Sequence, residues 1–323
     1  MKPFSSHATQ IQILKARGLI FKDEKSAQKI FSRKNYYSVI NGYKNPFLKR
    51  NEQNSPVVPE EYREGTSFEE IHKLFLFDRE LRILLLNELL KFENNIKSKI
   101  AYRFSEKFQE PNAYLLEQHY SQDKNLMKNR DKLIATMSSL IKNNTKRIKV
   151  NHPAIKHYDD KYQNIPLWVL VNFLTIGNIS YFYQSIDESL RNKIAKDFAE
   201  EFSDEHFAIR FTTDNLDNLI KVANFHRNIC AHEDILYKFE LKKPISTKGL
   251  EAILKIPNHL VSRGNVFSMI SLLKVVLPKE EHGKLVEEIE NLILNLEKSI
   301  HIKSYKSIQN DSGFREDWKK YFS

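Results

Sequence analysis

One cysteine, Cys230, stands in 323 residues. A lone thiol closes no intrachain disulfide, so the fold rests on packing alone and fits a reducing compartment. Glycine is almost as scarce, at 8 residues. Glycine-punctuated β folds and doubly wound nucleotide-binding folds need more of it at their tight turns. The N-terminal MKPFSSHATQIQILKARG has no apolar core of the length a signal peptide needs. Residues 163–186, QNIPLWVLVNFLTIGNISYFYQSI, carry no charge, but Asn172, Thr175, Gly177, Asn178 and Ser180 interrupt them. That is a poor match to a spanning helix. The stretch reads instead as a buried helix, a turn at Gly177-Asn178 and a second helix. The expectation is a cytoplasmic protein with no membrane partner. Acidic residues are also in deficit: 41 Asp and Glu face 51 Lys and Arg, for a formal charge of +10. This balance favours a polyanionic partner, by counterion release if that partner is nucleic acid. A basic surface that only aids solubility is the plainer reading.

What the chain does have is helix-forming residues. Apolar content of 41% and charged content of 28% are ordinary for a globular protein. Lys, Glu, Leu and Ile are frequent, which predicts long helices with few tight turns. The first helix carries Ile11, Leu14 and Lys15 and stops at Gly18; Asp23 caps the next, with Ala27, Ile30 and Phe31 on one face. NYYSVINGYKNPFL follows, where Tyr36, Tyr37 and Tyr43 lie among Arg33, Lys34 and Lys44. Such aromatics can stack on RNA bases while the cations pair with phosphates, or they can pack this module onto the main body. Residues 51–65 form a proline-containing polar linker. Ser67 and Glu70 make a capping box for a very long helix, single or kinked, with the stripe Leu74, Phe77, Leu81, Leu84, Leu85, Leu89, Phe92 and Ile96. Asp78, Arg79, Arg82 and Glu88 read as its solvated charged face. Residues 105–165 are polar and less periodic, with Lys146, Arg147 and Lys149 in a basic run (142–161) able to contact phosphates. Helices are expected at 187–202, 213–232, 249–256, 264–277 and 280–300.

HRNICAHED, residues 226–234, is the stretch with chemistry in it. Arg, four residues and His is a weak signal alone. Allowing four to six residues between the Arg and the His, roughly 1.4 matches are expected by chance in a chain of this length. A second copy, Arg147 and His152, does occur, beside Pro153 in loop-like sequence. The first copy ends an amphipathic helix. Histidine can move the protons of RNA cleavage, and arginine offers a planar fork matched to phosphate oxygens. Asn228 adds a polar group beside the Arg. At 100° per residue Arg227 and His232 stand about 140° apart on a regular helix. Either the helix is distorted at His232 or the motif faces a second copy, which would also supply the second histidine that acid plus base prefers. Two other readings stay open. Arg227 can pair with Glu233 or Asp234 while His232 caps the helix. His226 and Cys230, with His232 nearby, can be metal ligands, although a structural zinc site wants four and only one cysteine exists.

R-N-x-x-A-H resembles the signature of HEPN-superfamily ribonucleases. The chain as a whole resembles the abortive-infection (Abi) family of bacterial phage-defence proteins, of the AbiD/AbiF type. The matching stretches are KARGLIFKDEKSAQKIFSRKNYYSVINGYKNPF (15–47), FDRELRILLLNELLKFENNIKSKIAY (77–102), KHYDDKYQNIPLWVLVNFLTIGNISYFY (156–183), NFHRNICAHED (224–234) and GFREDW (313–318). In the last, Arg315 stands where the family often has proline. The resemblance implies an all-α, HEPN-like helical bundle (66–238), an N-terminal helical module and linker (1–65) and a C-terminal helical extension (239–323). It implies that Arg227 and His232 are the catalytic pair of a homodimeric ribonuclease, with Asn228 beside them and no metal or other cofactor. It further implies RNA as substrate and a small non-coding RNA that holds the nuclease in check. A non-catalytic RNA-binding protein on the same fold is the alternative.

Overall fold

A computed structural model of the chain describes residues 4–145, 151–201 and 211–322. The fold is all-α: among the described residues there are helices and isolated β-bridges but no strand. Two compact units are built from interleaved segments. One comprises Met1–Leu84, Ile229–Glu240 and Gly283–Ser323; the other comprises Leu85–Asn228 and Leu241–His282.

In the first unit, Ser6 caps His7–Ala16 and Asp23 caps Glu24–Lys34, each side chain accepting a backbone N–H of the first turn. The first helix stops at Gly18 (φ +89°), where Gly18 N–H donates to Lys15 O and Leu19 N–H to Leu14 O. This six-residue closure satisfies carbonyls that the helix end would otherwise leave open, and glycine adopts its left-handed turn without strain. Residues 51–65 hold no helix, yet they are tied down: Lys49 N–H donates to Glu61 O, and Tyr62 N–H to Arg17 O. The helix Ile302–Ser312, which the periodicity of the sequence did not bring out, buries only Tyr305 and Ile308 among its apolar residues.

In the second unit, the polar, less periodic stretch holds two helices, Lys124–Thr145 and Pro153–Tyr162, the second starting directly after His152 where the sequence reads as loop-like. The first packs against both Pro153–Tyr162 and Ile176–Ser185. It was concealed by its buried polar positions: Arg130 and Asn144 share the inner face with Leu133 and Met137. The uncharged stretch breaks at Leu174-Thr175, not at Gly177-Asn178. Thr175 and Asn178 form a reciprocal capping box, so the two residues read as a turn are the first turn of a helix. No helix among the described residues is long and apolar enough to cross a membrane.

The long helix is a single one, Phe68–Lys107, of 40 residues. Ser67 and Glu70 exchange N–H bonds at its start as the sequence predicts. Its leucine stripe is buried except for the half-buried Leu84, but so are Asp78, Arg82 and Glu88, which corrects their reading as a solvated face. Only Arg79 of that group is exposed. The register explains the error. Asp78 lies four residues after Leu74 and three before Leu81, inside the stripe; Glu93, also buried, lies likewise between Leu89 and Ile96.

Candidate active site at the end of the Thr213–Ala231 helix

Thr212 and Asn215 cap the helix Thr213–Ala231 reciprocally, and Leu216, Leu219, Ile220 and Ala223 bury its inner face. At its far end the helix stays regular to Ala231 and then closes on the same pattern as the first helix. Glu233 N–H reaches toward Cys230 O (3.5 Å), and Asp234 N–H donates to Ile229 O (3.0 Å). His232 is thus the C-cap residue and Glu233 takes the left-handed position, at φ +57°. Here that position is filled by a residue with a Cβ. Ala231, His232, Glu233 and Asp234 are all exposed.

Arg227 pairs with neither Glu233 nor Asp234. Its Nε donates to Glu93 Oε2 at 3.2 Å, while Lys97 Nζ holds the other oxygen, Oε1, at 2.7 Å. Glu93 and Lys97 are buried on successive turns of the long helix, whereas the Arg227 side chain keeps 30% of its exposure. One carboxylate therefore faces two cations and leaves an excess positive charge. Because the contact uses Nε, the terminal amino groups of Arg227 remain available to an oxyanion. Asn228 is exposed, and its amide donates to Asn224 Oδ1 at 3.3 Å.

The chain just after the motif is seized by buried polar groups of its own unit. Asp78 accepts Tyr237 N–H (2.6 Å) on one oxygen, and Leu236 N–H (3.1 Å) and Tyr43 O–H (2.7 Å) on the other. Arg82 donates to Asp78 at 2.6 Å and to the Asp234 carbonyl at 3.1 Å. Burial pushes the Asp78 carboxyl up, against the pull of Arg82, Tyr43 and the two amides. Four donors around one carboxylate offset its desolvation and hold the segment that carries His232. Tyr43 thus belongs to this network, not to an aromatic face for RNA.

The two residues considered as metal ligands have structural employment. His226 is fully buried, its Nδ1 3.0 Å from Val222 O, and burial holds its imidazole down to about 4. The buried Cys230 thiol is pushed up to about 12 by desolvation and by the charge of Asp78. Among the described residues no three His, Cys, Asp or Glu side chains group so as to hold a metal ion. Of the second Arg/His spacing, His152 stands at the N-cap position of Pro153–Tyr162 without a side-chain capping bond, and its ring lies 4.3 Å from that of Phe173. Lys146, Arg147 and Lys149 lie outside the described residues. Arg33, Lys34 and Tyr37 are exposed; Tyr36 is half-buried against Phe31, and Lys44 is paired with Glu60 at 2.5 Å.

A family model described as Abi-like protein matches residues 29–238. The chain belongs to the Abi-like family. The matched stretch runs from the second helix to just past Tyr237, so it contains Tyr43, Asp78, Arg82, Glu93, Arg227 and His232. Membership supports a role in abortive infection, the bacterial defence against phage. No curated protein matches the chain, and no solved structure does.

Sequence reasoning found the motif and missed the four groups that hold it. Glu93–Lys97 and Asp78–Arg82 are both acid–base pairs spaced i, i+4. A carboxylate inside an apolar stripe, followed four residues later by a cation, is the signal that could have found them.

Proposed function

We propose that this Abi-like protein is a metal-independent endoribonuclease with a HEPN-type core, cutting cellular or phage RNA. The observation that carries this reading is Arg227. It is steadied through Nε by a buried carboxylate while its terminal amino groups make no hydrogen bond among the described residues, beside an exposed Asn228 and five residues before an exposed His232. In the reaction a base takes the proton of a ribose 2′-hydroxyl. The 2′-oxygen bonds to the adjacent phosphorus, and the P–O5′ bond breaks. An acid then protonates the departing 5′-oxygen, leaving a 2′,3′-cyclic phosphate and a 5′-hydroxyl. His232 serves in proton transfer, and Arg227 offsets the charge gathering on the non-bridging oxygens. Acid and base together call for two histidines, so the working form is a homodimer whose motifs meet across a twofold axis. The Arg33–Lys44 segment and the basic run with Lys146, Arg147 and Lys149 hold the RNA, and a bound small RNA keeps the enzyme quiet.

The test is cleavage of a labelled RNA by the purified chain in excess chelator. His232→Ala and Arg227→Ala are each expected to lower the rate at least about 100-fold with an unchanged circular dichroism spectrum. Parental rates in His232→Ala would refute the assignment. A second reading, an RNA-binding protein without catalysis, is favoured by the ion pair that already engages Arg227. It predicts salt-sensitive RNA affinity that survives both substitutions, with no cleavage under any condition.

A further inference from the structure

The segment 45–63 and the helix Ile302–Ser312, both of the first compact unit, enclose a pocket of about 540 Å³. Arg50, Arg63, Lys303 and Lys306 line it, with Asp311 as the one carboxylate. None of the four cations makes an ion pair among the described residues. The surroundings hold the two guanidinium groups by other means. Arg50 donates to Asn54 O at 2.6 Å and to Asn45 O at 3.5 Å. Arg63 donates its Nε to Leu48 O at 3.2 Å and Nη1 to Ser304 Oγ at 3.4 Å.

Backbone carbonyls fix these arginines without neutralising them. Burial and the neighbouring Arg50 both hold Arg63 below the usual guanidinium range, the mark of a cation short of counter-charge. On the facing helix, Lys303, Lys306 and Asn310 recur at i, i+3 and i+7, so they share one side. Lys303 sits in the first turn, where the helix dipole disfavours a cation. A surface needing only solubility has no reason to gather like charges in a concavity against these costs. An oxyanion removes them together, since guanidinium forks match phosphate oxygens in pairs.

We propose that this pocket binds a phosphate-bearing anion, supplied by a free nucleotide or by the backbone of an RNA chain. Its volume lies in the range of small-ligand sites. The proposal does not rest on the ribonuclease reading and survives its failure, because none of these residues belongs to the motif.

The 323-residue chain and a Lys303→Gln/Lys306→Gln variant, altered only at exposed positions, are compared. Arg50→Gln is the second variant. Melting temperature is followed during titration with pyrophosphate, ATP and a 12-nucleotide single-stranded RNA of a sequence the protein does not cut. Ionic strength is held constant with potassium chloride within each titration, and RNA affinity, read by fluorescence anisotropy, is measured at several potassium chloride concentrations. A nucleotide source gives a saturable rise with ATP or pyrophosphate that weakens at least threefold in both variants. An RNA source gives RNA affinity whose slope against log salt falls by about 1 in the variants, roughly one or two phosphates released. Equal binding of all three probes by parent and variants overturns the proposal. So does the absence of binding by the parent to any of them.

Discussion

Glu93 holds Arg227 by its Nε, at 3.2 Å, and not by its fork. The buried carboxylate steers the arginine and spends none of the terminal amino groups suited to a phosphate. Its second oxygen is taken by Lys97. Glu93→Gln removes the charge and keeps the shape, leaving Lys97 buried beside an uncompensated Arg227. Urea unfolding is expected to show a loss of about 2–4 kcal/mol, most of it from the Lys97 side because Arg227 is partly solvated. RNA cleavage is expected to fall about 10- to 100-fold through misplacement of the guanidinium. Parental stability in the variant would mean that the three charges do not act as a cluster.

The Asp78 network makes a graded prediction. Asp78→Asn turns an acceptor of four donors into a group that presents N–H to N–H. Its expected cost is about 3–5 kcal/mol, the range for breaking a buried ion pair. Tyr43→Phe removes the hydroxyl that donates to Asp78 (2.7 Å) and accepts from Arg82 (3.1 Å), and keeps the ring against Phe75, for about 1.5–3 kcal/mol. The double variant should lose less than the sum, since the two share one carboxylate oxygen. Additive losses in equilibrium denaturation would show the pair to be uncoupled.

Two helix ends with one hydrogen-bond pattern differ at a single position. Gly18 and Glu233 both sit at positive φ, but only Glu233 carries a Cβ there. Glu233→Gly is expected to stabilise the protein by about 0.5–1 kcal/mol, the left-handed strain relieved less the glycine's entropy. Gly18→Ala, where the added Cβ would meet only Tyr62 O at 3.7 Å, should cost about 1 kcal/mol from conformation alone. Thermal melts of the two variants should move in opposite directions; the same sign in both would contradict this.

Two buried histidines predict a loss of stability in acid. His226 and His282 are both held down to about 4, chiefly by burial, well below an unfolded histidine near 6.5. Between these values the unfolded chain binds protons that the folded chain refuses, so stability rises with pH across the window. The contribution is complete above about 6.5 and is lost as pH falls toward 4. Each histidine supplies at most about 3 kcal/mol of that change. His282→Gln, facing the Ile270 carbonyl that now lies 3.0 Å from Nε2, should flatten the unfolding free energy between pH 6.5 and 4. An unchanged pH profile in this variant would assign the acid sensitivity to other groups.

Much of the fold was legible because local chemistry is written locally. Ser67 with Glu70, Asp23 before its helix and Gly18 after its own each act within one turn, and each was read correctly. The leucine stripe of Phe68–Lys107 was equally plain. Reading failed where a buried partner redeemed a polar residue. Asp78, Arg82 and Glu88 read as solvated because charge means surface unless something distant neutralises it. The helix Lys124–Thr145 was hidden by Arg130 and Asn144 on its inner face. Gly177-Asn178 read as a turn because the capping role of Asn178 depends on where Thr175 begins the helix.

The sequence by itself determined a helix-rich chain, a net positive charge and a motif with Arg227, Asn228 and His232 at a helix end. These follow from composition, periodicity and spacing, all properties of neighbours along the chain. Tertiary structure decided that Arg227 answers to Glu93 instead of Glu233 or Asp234, and that Asp78 and Arg82 grip the segment following His232. It also decided that Arg50 and Arg63 share a pocket with Lys303 and Lys306. The physical reason is common to all three. A charge takes its meaning from the dielectric around it and from the counter-charge that folding brings within about 3 Å. Neither is fixed until distant residues meet.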